Sequence, residues 1–473
     1  MRRLAVRNPR TGVDDYAIDA LGPDEVAAAA AGLRAKQRGW AERTPEARAA
    51  ILLRWAEAVE RESAPIAEAL ALDTGRRGIS RVEVAGLPRL LRRWAERAPA
   101  LIAAQEGATT ATSIPGVTAR TRLVPYKLVG VISPWNFPLT LALIDAVPAL
   151  AAGCAALVKP SEVTPRFIRP LLATIPDELP LALIEGDGAT GAALIDAVDF
   201  ICFTGSVATG RKVATAAAAA FIPASLELGG KDPMLVLASA DPVKAATTAL
   251  RASVVNSGQA CQSIERIYVA RAIAEPFLEA LVAGAQAARL NAGDAEAGEL
   301  GPFIYARQAE IVKDQLADAV AKGASILTGG EIEDHGGLYL RPTVLSGVTP
   351  AMAIMREETF GPVLPVTIFD SVDVAVALAN DGDFGLSAAV LAGTVEEAEA
   401  VAVRLEAGAV SINDGSLTAM VWEAEKSSFK ASGMGPSRMG DSGLLRFFRK
   451  QALIRQSGEA APLAAYSEEA LKG

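Results

Sequence analysis

A chain of 473 residues, 51% hydrophobic and 21% charged, describes a globular protein with more than one core, not a disordered or collagenous one. The formal net charge of −9 argues against nucleic acid as a partner, and no apolar run reaches the roughly 18 residues that a membrane helix needs. Three scattered cysteines and a single histidine leave no zinc-type cluster, so no metal is expected, and the odd cysteine count fits a reducing cytoplasm. The arginines near Met1 have no apolar core behind them, so a secretory leader is not expected either.

The first hundred residues read as helical. Thr44 is an N-cap, Pro45 takes the first helical position and Glu46 is an early acid. Ile51, Leu52, Trp55, Ala58 and Val59 recur at helical spacing and define one apolar face. Asp73-Thr74-Gly75 closes this region, and a second amphipathic stretch runs through Leu87, Leu90, Leu91 and Trp94. From Lys127 the texture changes to short apolar runs at 128–132, 155–158, 181–184 and 200–203, separated by helix-length segments. That spacing indicates βαβ units and a parallel sheet covered on both faces. The alternation restarts at 234–237 and continues beyond 267–269, as a second α/β domain would. From Gln456 the chain turns polar and small, as in a tail or an interface strand.

Five segments carry candidate chemistry. Ser257-Gly258-Gln259-Ala260-Cys261-Gln262 sets a cysteine among small and polar residues, unlike Cys154 and Cys202, which lie in apolar runs and read as small buried hydrophobes. An accessible loop or helix start there would suit a nucleophile, and a helix N-terminus would lower the thiol pKa. The only histidine, His335, sits in the polar turn Glu333-Asp334-His335-Gly336-Gly337, so the base for such a thiol is sought elsewhere. Glu227, in Leu226-Glu227-Leu228-Gly229-Gly230-Lys231, is either paired with Lys231 or a general base raised by burial. Phe203-Thr204-Gly205-Ser206-Val207-Ala208-Thr209-Gly210 follows a predicted strand and opens a helix, as a turn or as a phosphate cradle. Lys159-Pro160-Ser161-Glu162 ends another strand, where a cation and an acid hold ribose hydroxyls or cap a helix. In Pro134-Trp135-Asn136-Phe137-Pro138 two prolines stiffen a loop whose amide either forms an Asx turn or donates to an oxyanion.

Together and in this order, these segments resemble the aldehyde dehydrogenase superfamily of NAD(P)-dependent enzymes. Glu357-Glu358-Thr359-Phe360-Gly361-Pro362, 383–387 and 408–413 extend the likeness, which runs from Asn8 to about Lys450. The resemblance implies an α/β fold with a Rossmann-like cofactor domain at 1–103 and 126–227 and a catalytic domain at 228–444. A small β oligomerisation element would combine 104–125 with 445–473 in a homodimer or homotetramer. It implies that Cys261 attacks the aldehyde carbon, that its N–H and the Asn136 side chain hold the oxyanion, and that Glu227 activates the hydrolytic water. Glu358 and Phe360 would meet the nicotinamide end, Lys159 and Glu162 the adenine ribose, and Gly205 and Ser206 the pyrophosphate, with Trp135 also beside the cofactor. A carboxylate at Glu162 repels a 2′-phosphate, which favours NAD, with NADP possible because Lys159 lies close by.

The substrate pocket implied by the family comprises Phe137, Thr140, Ile144, Ala260, Gln262 and Trp422. It is mostly apolar, so a neutral aldehyde is expected. One segment departs from the family, which usually reads Pro-Phe-Gly-Gly-x-Lys-x-Ser-Gly. Here Glu425-Lys426-Ser427-Ser428-Phe429-Lys430-Ala431-Ser432-Gly433 loses the proline and both glycines near the substrate entrance. Two rivals stand beside hydrolytic oxidation. A CoA-acylating relative is opposed by Glu227, which acylating members often lack. A catalytically silent binding or structural relative is opposed by the full set of expected catalytic residues.

Overall fold

The structure is a computed structural model that describes residues 2–107 and 109–472. It opens on an antiparallel hairpin, Arg2–Arg7 with Asp14–Ala20, where the sequence reads as helical. Only Val6, Ile18 and Ala20 of this hairpin are buried, so the two-residue alternation that marks a strand is nearly invisible in the sequence. Four helices follow: Pro23–Ala41, Pro45–Arg61, Ser63–Thr74 and Arg77–Gln105. The Thr44 hydroxyl accepts the Ala47 N–H at 3.2 Å, and Gly75, at φ 71°, ends the third helix in the left-handed region. Trp55, on the predicted apolar face, is fully buried and donates its indole N–H to the Thr174 hydroxyl at 3.0 Å.

The first large sheet has six strands in the order Gly433–Met434, Ala224–Glu227, Phe200–Thr204, Leu128–Ile132, Ala155–Lys159 and Leu181–Leu183. All are parallel except Gly433–Met434, which returns late in the chain to lie antiparallel on Ala224–Glu227. Side chains alternate between two covered faces. Val129, Val131, Val158 and Cys202 enter one core with the helices at 45–105, while Leu128, Leu157, Ile201 and Phe203 enter another. Burial on both faces is why these strands read as unbroken apolar runs.

The second large sheet has seven strands, in the order Ser325–Thr328, Thr343–Ser346, Val363–Phe369, Ile264–Ala270, Asp232–Val236, Ser387–Leu391 and Ala409–Ile412. It is parallel except for its first edge strand. Only four residues separate Glu227, the end of a strand in the first sheet, from Asp232, the start of one in the second. Both faces of this sheet are also covered. A third, antiparallel sheet sets Phe448–Gln456 and Thr110–Ala111 on either side of Val117–Pro125. Among the described residues, no helix is long and apolar enough to cross a membrane.

Candidate active site

In the first sheet, Leu128–Ile132 lies between Ala155–Lys159 and Phe200–Thr204, so the chain connections leave it in opposite directions. A parallel sheet opens a crevice at the carboxyl ends of its strands where this happens. Three candidate segments continue those strands: Pro134-Trp135-Asn136, Lys159-Pro160-Ser161-Glu162 and Gly205-Ser206. They line one cavity of about 700 Å³, to which the second half of the chain adds Cys261, Glu358 and Phe360.

The groups in this cavity match the needs of a dinucleotide. The Lys159 ammonium is buried and donates to Gly186 O at 2.8 Å, Pro160 O at 2.9 Å and Glu162 Oε2 at 3.2 Å. Burial pulls it below its ordinary pKa, against the opposing pull of Glu162. Ser206 caps the helix Val207–Ala219 by accepting the Thr209 N–H at 3.3 Å, and the free N–H groups of that first turn suit a phosphate. The side-chain oxygens of Glu162 and Glu358 can accept ribose hydroxyls. Trp135 and Phe360 meet edge to face, 5.4 Å between ring centroids. This set of acceptors, cation, helix N-terminus and aromatic rings fits two riboses, a pyrophosphate and a flat ring.

Glu358 and Phe360 are held from behind. The buried Glu265 carboxylate accepts the N–H groups of Thr359 and Phe360, each at 2.8 Å, and pairs with Lys231 Nζ at 2.8 Å. Lys231 therefore serves Glu265, and the pairing of Lys231 with Glu227 read as an alternative in the sequence does not occur. The Gly230 N–H donates to Glu358 Oε1 at 3.3 Å, and a Cβ on Gly229 would sit 2.7 Å from that carboxylate. Burial foremost, then the charge of Glu265, pushes the Glu358 carboxyl up to about 8.

Cys261 lies in a turn between the short helix Val255–Gly258 and the strand Ile264–Ala270. It is not at a helix N-terminus, so no helix dipole lowers its pKa. Burial, then the charges of Glu358 and Asp232, instead pushes the thiol up to about 12. The approach to the turn runs through three left-handed residues: Asn256 at φ 61°, Ser257 at φ 55° and Gly258 at φ 69°. Asparagine tolerates this region and glycine is free in it. Asn256 Nδ2 also ties the turn down, donating to Gln259 O at 2.8 Å and Asn136 O at 3.2 Å. The Asn136 side chain is buried and gives one amide hydrogen to Gln259 O at 3.1 Å, leaving its second for another acceptor. Among the described residues the Cys261 N–H has no acceptor.

Glu227 is half-buried at its strand end and lies outside the lining of the cavity. Its Oε2 accepts the Ser428 hydroxyl at 2.9 Å, and its Oε1 lies 3.9 Å from Arg438 Nε, a buried N–H that has no hydrogen-bond acceptor among the described residues. Arg438 is fixed by Asp145, at 3.1 Å, and by Thr204, while Arg446 also pairs with Asp145. Burial opposes ionisation of Asp145, but the two guanidiniums outweigh it and hold the carboxyl below its ordinary range.

None of the six residues expected in the substrate pocket lines the cavity. Ala260 and Gln262 flank Cys261, and Phe137 precedes the helix Pro138–Leu143. Thr140 gives its hydrogen bonds to the buried Glu83. Ile144 is 6% exposed, and Trp422 packs against the helical core. Three charged or polar side chains beside the site were absent from the expected set: Lys426, Ser428 and Arg438. The sequence signal for the first two was the break in the family pattern at 425–433; Arg438 carries none.

A model of the aldehyde dehydrogenase family matches residues 1–453. The chain belongs to the aldehyde dehydrogenase family. It is similar to a Mycolicibacterium smegmatis protein provisionally assigned as a succinate-semialdehyde dehydrogenase [NADP(+)], with 39% identity over 91% of this chain and 84% of that one. Among solved structures it resembles an Anabaena variabilis protein provisionally assigned as the aldehyde dehydrogenase PutA. Identity there is 49% and the TM-score 0.95, covering 98% of this chain and 99% of the other. The betaine aldehyde dehydrogenase of Staphylococcus aureus, in complex with NAD+, aligns with a TM-score of 0.90 at 28% identity, over 97% and 93% of the two chains. This aldehyde dehydrogenase thus shares its α/β architecture of two parallel-based sheets with enzymes of known structure.

Proposed function

We propose that this aldehyde dehydrogenase oxidises an aldehyde to the carboxylic acid with NAD, through a thioester on Cys261. The observation that carries the reading is that Cys261 lines the same cavity as Lys159, Ser206 and Glu358. Cys261 loses its thiol proton to solvent and attacks the aldehyde carbon as thiolate. Its own N–H and the second amide hydrogen of Asn136 receive the oxyanion, each without breaking a bond already made. NAD, when bound, accepts the hydride. The acyl group then remains on sulfur, and Glu227 takes a proton from the water that attacks it, releasing acid and thiol.

Support for Glu227 as base comes from its surroundings: its Oε2 accepts the Ser428 hydroxyl, and its Oε1 makes only a long 3.9 Å contact to Arg438 Nε. Support for NAD comes from Glu162, a carboxylate where a 2′-phosphate would sit. The Lys159 charge beside it is already shared among three oxygens. NADP remains a cofactor to compare, given the name of the mycobacterial relative. The strand Phe448–Gln456 is an exposed sheet edge bearing Leu453 and Ile454, which supports a homodimer or homotetramer, and three free cysteines suit a reducing cytoplasm. NADH formation from purified protein, NAD and an aldehyde panel, with and without CoA, tests the reading. Turnover without CoA that vanishes in Cys261→Ala is expected. Turnover only with CoA, or from no aldehyde, refutes hydrolytic oxidation.

A further inference from the structure

The segment in which this chain departs from its family sits directly on the candidate site. Lys426 stands where the family has phenylalanine. Its ammonium is half-buried and donates to Gln262 Oε1 at 3.3 Å and to the Thr418 carbonyl. Gln262 is the residue after Cys261. Two positions past Lys426, the Ser428 hydroxyl holds Glu227. One short loop therefore brings a cation beside the nucleophile and a hydroxyl onto the proposed base.

The charge on Lys426 is not neutralised. Among the described residues it has no carboxylate within ion-pair distance, unlike Lys159 and Lys231 nearby. Two neutral oxygens take two of its three N–H donors and leave one free, with the full positive charge. Withdrawing an ammonium from water without an anion is costly, so a lysine in this position suits a ligand that brings the anion. Burial pulls the ammonium below its ordinary range, and the charges of Glu227 and Cys261 oppose that pull, so the group lies within electrostatic reach of both.

We propose that Lys426 receives an anionic group of the substrate, so that the preferred aldehyde carries a carboxylate. The inference rests on the aldehyde oxidation proposed above. It reverses the neutral substrate expected from Phe137, Thr140, Ile144, Ala260, Gln262 and Trp422, a set that contains no cation because the loop bearing Lys426 lies outside it.

The test compares two four-carbon aldehydes, succinic semialdehyde and butanal, with wild type, Lys426→Met and Lys426→Arg. Wild type should prefer the semialdehyde. Lys426→Met should lose roughly ten- to hundredfold more kcat/KM on the semialdehyde than on butanal, chiefly through KM, as fits removal of one hydrogen bond to a charged group. Lys426→Arg, which keeps the charge, should retain most of the preference. Turnover of butanal as efficient as that of the semialdehyde overturns the inference while leaving aldehyde oxidation standing. A Lys426→Met loss equal for both substrates and confined to kcat also overturns it, since that pattern belongs to activation of the thiol. NADH from no aldehyde refutes the oxidation and this inference together.

Discussion

Without cofactor, Cys261 should be a slow thiol whose reactivity climbs steeply with pH. Burial and the neighbouring carboxylates push it from the ordinary value near 9 up to about 12. Only the thiolate reacts, so at neutral pH the reactive fraction falls to about one in 10⁵, against about one in 10² for an ordinary thiol. The more basic thiolate is intrinsically more nucleophilic, which restores roughly twentyfold for a Brønsted slope near 0.45. The loss of thiolate wins, and alkylation should run about fiftyfold slower than that of free cysteine. Because the group stays protonated until high pH, its rate should still rise about tenfold per pH unit between roughly pH 7 and 10, where a free thiol begins to level off. Peptide mass spectrometry of iodoacetamide-treated protein measures this, with the fully buried Cys154 and Cys202 as internal controls. A Cys261 rate that equals free cysteine at neutral pH, or that saturates near pH 8, would refute the reasoning.

Two further outcomes follow from the geometry. In Gly258→Ala the new Cβ would lie 2.2 Å from the Gly361 carbonyl oxygen, at a φ of 69°. Left-handed strain of about 1–2 kcal/mol and overpacking of about 1–3 kcal/mol should together lower the calorimetric Tm by several degrees; an unchanged Tm contradicts this account of the turn. Glu162→Gln removes the carboxylate that opposes a 2′-phosphate, so the ratio of kcat/KM for NADP to that for NAD should rise about tenfold. No change in the ratio would place the 2′-phosphate elsewhere.

The parts legible in the sequence are those fixed by short-range chemistry. Strands covered on both faces, such as Leu128–Ile132 and Phe200–Thr204, appear as unbroken apolar runs, and Thr44 and Gly75 mark helix ends through their own side chain or lack of one. Segments at strand ends, such as Lys159-Pro160-Ser161-Glu162, stand out in the sequence because a crevice at the carboxyl ends of parallel strands calls for such residues. The hairpin at Arg2–Arg7 was not legible, since it buries too few side chains to show its period. Nor was the two-residue strand Gly433–Met434, whose partner lies more than two hundred positions earlier. The turn before Cys261 depends on Asn256 and Ser257 adopting left-handed backbone, which neither residue type announces. Lys426 was missed for a similar reason: its partner Gln262 is 164 positions away, and only folding makes them neighbours.

The most direct test of the division of labour between Cys261 and Glu227 is to trap the acyl enzyme. Glu227→Gln, incubated with NAD and a turned-over aldehyde, should release one burst of NADH and then stall. The peptide bearing Cys261 should gain the mass of the acyl group. Continued turnover at the wild-type rate with an unmodified Cys261 peptide would contradict the account.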